Sequence, residues 1–91
     1  MNLENKVVLV TGSSGGLGAQ ICYEAAKKGA SVIACARRSQ LIDEVKAECQ
    51  RLSGKEAYAF PVDVSDPDSV DRLYEQVMQT VGRVDVLVNN A

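Results

Sequence analysis

The chain has 91 residues, 46% hydrophobic and 24% charged, with ten Lys and Arg against twelve Asp and Glu for a net charge of −2. That composition is one folded domain at most, and it disfavours disorder. The acidic balance excludes functions that need a strongly basic surface, such as general nucleic-acid binding, and the absence of histidine excludes Ser–His–Asp and Cys–His centres within these residues.

Apolar strands alternate with amphipathic helices along the whole chain. Lys6-Val7-Val8-Leu9-Val10 is a β-branched run ended by Thr11-Gly12, and it predicts a strand buried on both faces. Residues 16–28 have helical spacing, with Leu17, Ile21 and Ala25 on one stripe and Gly18, Cys22 and Ala26 beside it. Gln20, Tyr23, Glu24 and Lys27 fall on the polar arc, and Gly29 stops the helix. Ser31–Cys35 is a second short strand. Ser39 then fits an N-cap for a helix through Ser53, with Leu41, Ile42, Val45, Cys49 and Leu52 inward.

Ala57–Val62 is a third strand, weakened by Pro61, which lacks a ladder donor. Asp66 as cap, Pro67 at the first helical position and Asp68 in the first turn then announce a helix. Its inward stripe is Val70, Leu73, Val77 and Val81, and Gly82 ends it. Val84–Val88 is a fourth strand running into Asn89-Asn90-Ala91. Three crossover helices between short apolar strands imply a parallel sheet with right-handed connections.

The three cysteines, Cys22, Cys35 and Cys49, form no C-x-x-C and read as free thiols in a reducing compartment. The N-terminus MNLENKVVLV lacks the charged start and long apolar run of a signal peptide, and no stretch approaches the 18 apolar residues of a membrane span. A cytoplasmic protein with no membrane and no nucleic-acid partner is expected.

The most informative stretch is Thr11-Gly12-Ser13-Ser14-Gly15-Gly16-Leu17-Gly18, between the first strand and the first helix. The start of a helix carries unpaired N–H groups and about half a positive charge. Residues without Cβ let that backbone approach an anion, and the Ser13 and Ser14 hydroxyls add donors. A phosphate is the ligand this chemistry fits. A tight bend with no ligand would use the same glycines, and the turn alone leaves both readings open. No G-K-[ST] follows, so this is not a P-loop.

Three motifs stand in order: T-G-x-x-x-G-x-G at Thr11, Gly12, Gly16 and Gly18; Asp63-Val64 after the third strand; and Asn89-Asn90-Ala91 after the fourth. With these the chain resembles the short-chain dehydrogenase/reductase family. The resemblance implies a three-layer, doubly wound Rossmann-type α/β sheet of order 3-2-1-4, incomplete at four strands. Residues 1–91 would be the N-terminal NAD(P)-binding part of such a domain. It implies that Gly12, Ser14, Gly15 and Leu17 hold the pyrophosphate and adjacent ribose. Asp63 would accept from the adenine amino group, Val64 N–H would donate to the ring, and Asn90 and Ala91 would line the adenosine ribose. Asn89 is expected to tie strands together instead.

An acid at the end of the second strand would hydrogen-bond an unphosphorylated ribose. That position is Ala36, followed by Arg37 and Arg38. Guanidinium groups match a 2′-phosphate in charge and geometry, so NADP(H) is expected ahead of NAD(H).

Tyr23 and Lys27 have the Y-x-x-x-K spacing of the family's catalytic pair, but they lie on the first helix just after the phosphate turn, and the match is read as accidental. The family's catalytic Ser, Tyr and Lys would follow beyond Ala91, so these 91 residues alone are expected to be inactive. The expected parent is an NADP(H)-dependent oxidoreductase that interconverts alcohols and carbonyls of small molecules by hydride transfer. The alternative is a stand-alone nucleotide-binding or subunit-interaction module without catalysis. The fourth strand, apolar on both faces, leads to an expectation of self-association.

Overall fold

A computed structural model describes residues 2–90. In chain order the elements are β1 (Val7–Thr11), α1 (Gly16–Lys27), β2 (Ser31–Ala36), α2 (Ser39–Ser53), β3 (Tyr58–Pro61), α3 (Pro67–Thr80) and β4 (Val86–Val88). All strand pairs are parallel, and the order across the sheet is β3-β2-β1-β4. This is the doubly wound arrangement expected from the sequence.

The two-residue period of a strand assigns the faces. Val8 and Val10 of β1, with Val32, Ala34 and Ala36 of β2, pack against Ala19, Cys22 and Ala26 of α1 and Ile42, Val45 and Cys49 of α2. Val7, Leu9, Ile33 and Cys35 pack against Leu73 and Val77 of α3 on the other face. Helices therefore cover both sides, which is why β1 reads as a continuous apolar run. The three cysteines are free and buried, and burial pushes the Cys35 thiol up to about 12.

Several local expectations are corrected. Leu17 is 68% exposed, and Ala19 takes the inward position instead. Tyr23 is half-buried against the α1–α2 core, so it leaves the polar arc. Ser39 is already helical. Arg38, in extended backbone, is the capping residue of α2, and no side chain caps that helix. Val70 is 40% exposed, so the inward stripe of α3 reduces to Leu73 and Val77 with Val81 half-buried.

The fourth strand is shorter than Val84–Val88 because Asp85 bonds differently. Its Oδ2 accepts from Val7 N–H at 2.7 Å while its own N–H donates to Val7 O at 2.9 Å. Arg83 braces this clamp, donating from Nε to Asp85 Oδ2 at 3.1 Å and from Nη2 to Asn5 O. The Val7 N–H holds the Asp85 carboxyl below its ordinary range, helped by Arg83. Pro61 ends β3 on the outer edge of the sheet, where a missing donor is tolerated. Among the described residues no helix is long and apolar enough to cross a membrane.

Candidate functional site

Parallel strands end together, so the loops after β1, β2, β3 and β4 share one rim of the sheet. The chain turns from β1 to β2 on one side and from β3 to β4 on the other. The rim beside β1 is thus the switch point where open α/β sheets bind ligands.

The turn after β1 is shaped by two glycines. A Cβ on Gly12 would sit 2.0 Å from Asn90 O, and Gly12 has φ +67°, where side chains are strained. A Cβ on Gly18 would sit 1.9 Å from Gly12 O. The turn, the first coil of α1 and the end of β4 are thereby in backbone contact. Asn90 Nδ2 donates to Gly12 O at 3.3 Å. Thr11 Oγ1 accepts Asn90 N–H at 3.1 Å and donates to Asn89 Oδ1 at 3.0 Å. Asn89 ties β4 to β1, and Thr11 is a tethering residue whose hydroxyl the sequence motif contains without revealing its partner.

Ser13 and Ser14 separate in role. Ser13 is fully buried; its hydroxyl donates to Val10 O at 2.5 Å and accepts from Cys35 N–H and Cys22 Sγ, each at 3.4 Å. It is a structural pin and offers nothing to a ligand, contrary to the expectation of two serine donors. Ser14 makes no side-chain hydrogen bond within the described residues and faces the rim.

α1 starts at Gly16 with Gly15 as its capping residue, and no side chain caps it and no acid lies in its first turn. The first bond back is Ala19 N–H to Gly15 O at 3.3 Å, so the N–H groups of Gly16, Leu17 and Gly18 lack intrahelical partners. They stand as a free donor set at the positive end of the helix dipole.

Next to this turn is a cleft of about 550 Å³. Gly12, Ser14, Arg37, Arg38, Asp63, Val64 and Asn90 line it, with Ala36 at the end of β2. Seven of the expected site residues are thus brought together. Gly15 and Leu17 lie outside its walls at the start of α1, and Ala91 falls outside the described residues.

Asp63 is the one acid lining the cleft. Its Oδ1 accepts from Ser65 Oγ at 2.6 Å and Ser65 N–H at 3.0 Å. The Ser65 hydroxyl, then its N–H, and more weakly Arg37 hold the carboxyl below its ordinary range. Asp63 Oδ2 has no donor, and Val64 N–H no acceptor, among the described residues.

A second cleft of about 450 Å³ continues from the first, sharing Arg37, Val62 and Asp63 and adding Ser69, Arg72 and Gln76. Arg72 is a cleft residue the sequence reading missed. Its position on α3 gives no sign of facing the rim, which only the docking of α3 onto the sheet decides. The arginines divide sharply. Arg51 and Arg83, away from the clefts, pair with Glu48 at 2.6 Å and Asp85 at 3.1 Å. Arg37, Arg38 and Arg72 pair with no carboxylate among the described residues.

Tyr23 and Lys27 line neither cleft. Lys27 pairs with Glu24 at 3.0 Å. Burial, with nearby Cys49 and Glu48, pushes the Tyr23 phenol up, the wrong direction for a base.

Comparison with known proteins agrees with this geometry. The family model for short chain dehydrogenase matches residues 6–91. A fatty acyl-CoA reductase of Acinetobacter baylyi is 41% identical over 90 residues, which cover 99% of this chain and 30% of that protein. An 11-beta-hydroxysteroid dehydrogenase 1A of Arabidopsis thaliana is also 41% identical, with 99% and 26% covered. Among solved structures, the L-sorbose reductase of Gluconobacter frateurii complexed with NADPH and L-sorbose superposes with a TM-score of 0.93 at 36% identity, covering 100% of this chain and 35% of that one. An alcohol dehydrogenase of Thermococcus sibiricus complexed with 5-hydroxy-NADP gives 0.85 at 30% identity, with 90% and 35% covered. The chain spans no more than about a third of the length of these relatives. It belongs to the short-chain dehydrogenase family.

Proposed function

We propose that these residues are the cofactor-binding N-terminal portion of an NADP(H)-dependent oxidoreductase that interconverts alcohols and carbonyls. The observation that carries this reading is the uncapped start of α1 opening beside a cleft that already contains Arg37, Arg38 and Asp63. The donor set fits the adenosine end and pyrophosphate of a nicotinamide dinucleotide. The free N–H groups of Gly16, Leu17 and Gly18, with Ser14, suit the pyrophosphate. Gly12 supplies the close approach, and Gly15 and Leu17 take part through backbone only. Asp63 Oδ2 would accept from an adenine amino group and Val64 N–H would donate to the ring. Asn90, and Ala91 by resemblance, would border the ribose.

The end of β2 supports NADP(H) over NAD(H). Ala36 puts a methyl group where a carboxylate would repel a 2′-phosphate, and Arg37 and Arg38 follow with no carboxylate partner among the described residues. A hydrogen bond to a charged group contributes about 1.5–3 kcal/mol, enough for tenfold preference. The bound cofactor supplies the hydride acceptor or donor; the residues here bind, orient and select it. In this reading these 91 residues bind the cofactor, and the catalytic Ser, Tyr and Lys of the family belong to the rest of the parent enzyme.

Fluorescence titration with NADPH and NADH tests the reading. NADPH binds at least tenfold tighter, and Ala36→Asp with Arg37→Ala reverses the preference. Equal dissociation constants for both cofactors, unchanged in the double variant, would refute it. The cellular setting this reading implies is the cytoplasm.

Self-association belongs to the same proposal. β4 is an edge strand with Leu87 65% exposed, beside an apolar groove of about 560 Å³ that also borders Tyr74 and Met78. Such surface favours pairing. Sedimentation at tens of micromolar then gives a species heavier than one chain, and a stable monomer counts against it.

A further inference from the structure

We infer that Arg72 of α3 is a third specificity-determining residue for the cofactor, gripping the 2′-phosphate together with Arg37 from the α3 side of the cleft. The inference rests on the cofactor reading above and deepens it.

Arg37 lines both clefts, so it marks their junction. A phosphate bound to Arg37 at that junction would adjoin the second cleft, whose wall includes Arg72. The sequence offers Arg72 two partners at helical spacing, Asp68 four residues before and Glu75 three residues after. It takes neither, whereas Arg51 pairs with Glu48 at the same three-residue spacing. The guanidinium is therefore available at the cleft.

Charge agrees with geometry. Among the described residues three guanidiniums and one carboxylate, Asp63, border the joined clefts, a local net of two positive charges on a chain of net charge −2. A phosphate monoester carries about −1.5 to −2 at neutral pH. Ser69 and Gln76 beside Arg72 add neutral donors and no further acid. The Ser69 hydroxyl accepts from Asp63 N–H at 2.9 Å, and its own proton stays free to donate. Guanidinium groups reaching from two different elements can together bind more of one phosphate's oxygens than either could alone.

The test uses adenosine 2′,5′-bisphosphate and adenosine 5′-monophosphate, which differ only in the 2′-phosphate, titrated calorimetrically into the protein and its variants. Arg72→Gln weakens the bisphosphate about tenfold, the loss of one charged contact, and leaves the monophosphate within about twofold. Arg72→Lys keeps the charge and recovers part of the loss. Thermal melts of the variants match the parent, because Arg72 is exposed and makes no ion pair among the described residues. If Arg72→Gln leaves the bisphosphate unchanged while Arg37→Gln weakens it, the inference about Arg72 is overturned and the cofactor reading stands. Equal weakening of both ligands by Arg72→Gln also overturns it. If the parent protein binds neither ligand, the cofactor reading itself falls.

Discussion

The starts of α1 and α3 solve the same physical problem in opposite ways. Each helix exposes several N–H groups at its first turn. α3 satisfies them internally: Asp66 accepts from Asp68 N–H at 3.1 Å, Pro67 removes one donor, and Asp68 puts negative charge in the first turn. α1 has no capping side chain, no acid and glycine at both Gly15 and Gly16. One start is finished as structure. The other is left open, with the chemistry that suits an external anion. α2 also starts without a side-chain cap or a first-turn acid, so what sets α1 apart is its glycine turn beside the cleft.

The largest effect tests the packing that keeps the α1 start open. Gly18→Ala drives a methyl group into Gly12 O, and overpacking of this kind costs about 1–3 kcal/mol. NADPH affinity falls roughly a hundredfold, about 2.7 kcal/mol. Denaturant unfolding and fluorescence titration measure the two, and a variant that kept both would show the contact to be slack. At the other helix, Asp66→Ala removes a cap worth about 1 kcal/mol of stability and leaves NADPH binding unchanged. A loss of binding there would break the division between the two starts.

The converse exchange is smaller and more telling. Leu17→Glu gives α1 the first-turn acid it lacks, at a position 68% exposed, so packing is undisturbed. The free protein gains about 0.3–1 kcal/mol while NADPH binding weakens, more so at low salt. Stability and binding moving together would contradict the comparison.

The smallest effect is confined to acid. Asp85 is an acid used to fasten strands, and its carboxyl is depressed in the folded state. Its stabilisation is complete above the ordinary aspartate value of 3.8 and is lost as pH falls through the lower folded value. Asp85→Asn therefore lowers the melting temperature at neutral pH, and the gap from the parent narrows as pH falls below 3.8.

Fold and site were unequally legible from sequence. Strand and helix order, the sheet order and both flanking layers follow from periodicity, because each strand has to be apolar on two faces. The cleft residues Gly12, Arg37 and Asp63 were legible because they stand at fixed offsets from strand ends. What was hidden depends on side-chain direction. Ser13 and Ser14 are adjacent and chemically identical, yet one bonds Val10 and the other faces the rim. Asp85 reads as a strand residue, and its bond to Val7 spans 78 positions. Leu17 fits the apolar stripe by spacing alone, but α1 meets the sheet through its small residues Gly18, Ala19 and Cys22, which rolls Leu17 outward.

The clamp between Val7 and Asp85 has a consequence for synthesis on the ribosome. β1 emerges first, and β2 follows within some thirty residues, but the other edge of β1 waits 78 positions for its neighbour. At translation speeds of about 5–20 residues per second that delay is roughly 4–16 s. Throughout it, the nascent chain presents a valine-rich ribbon with one row of amides unclaimed, and whatever shields that ribbon co-translationally governs the yield of correctly assembled protein.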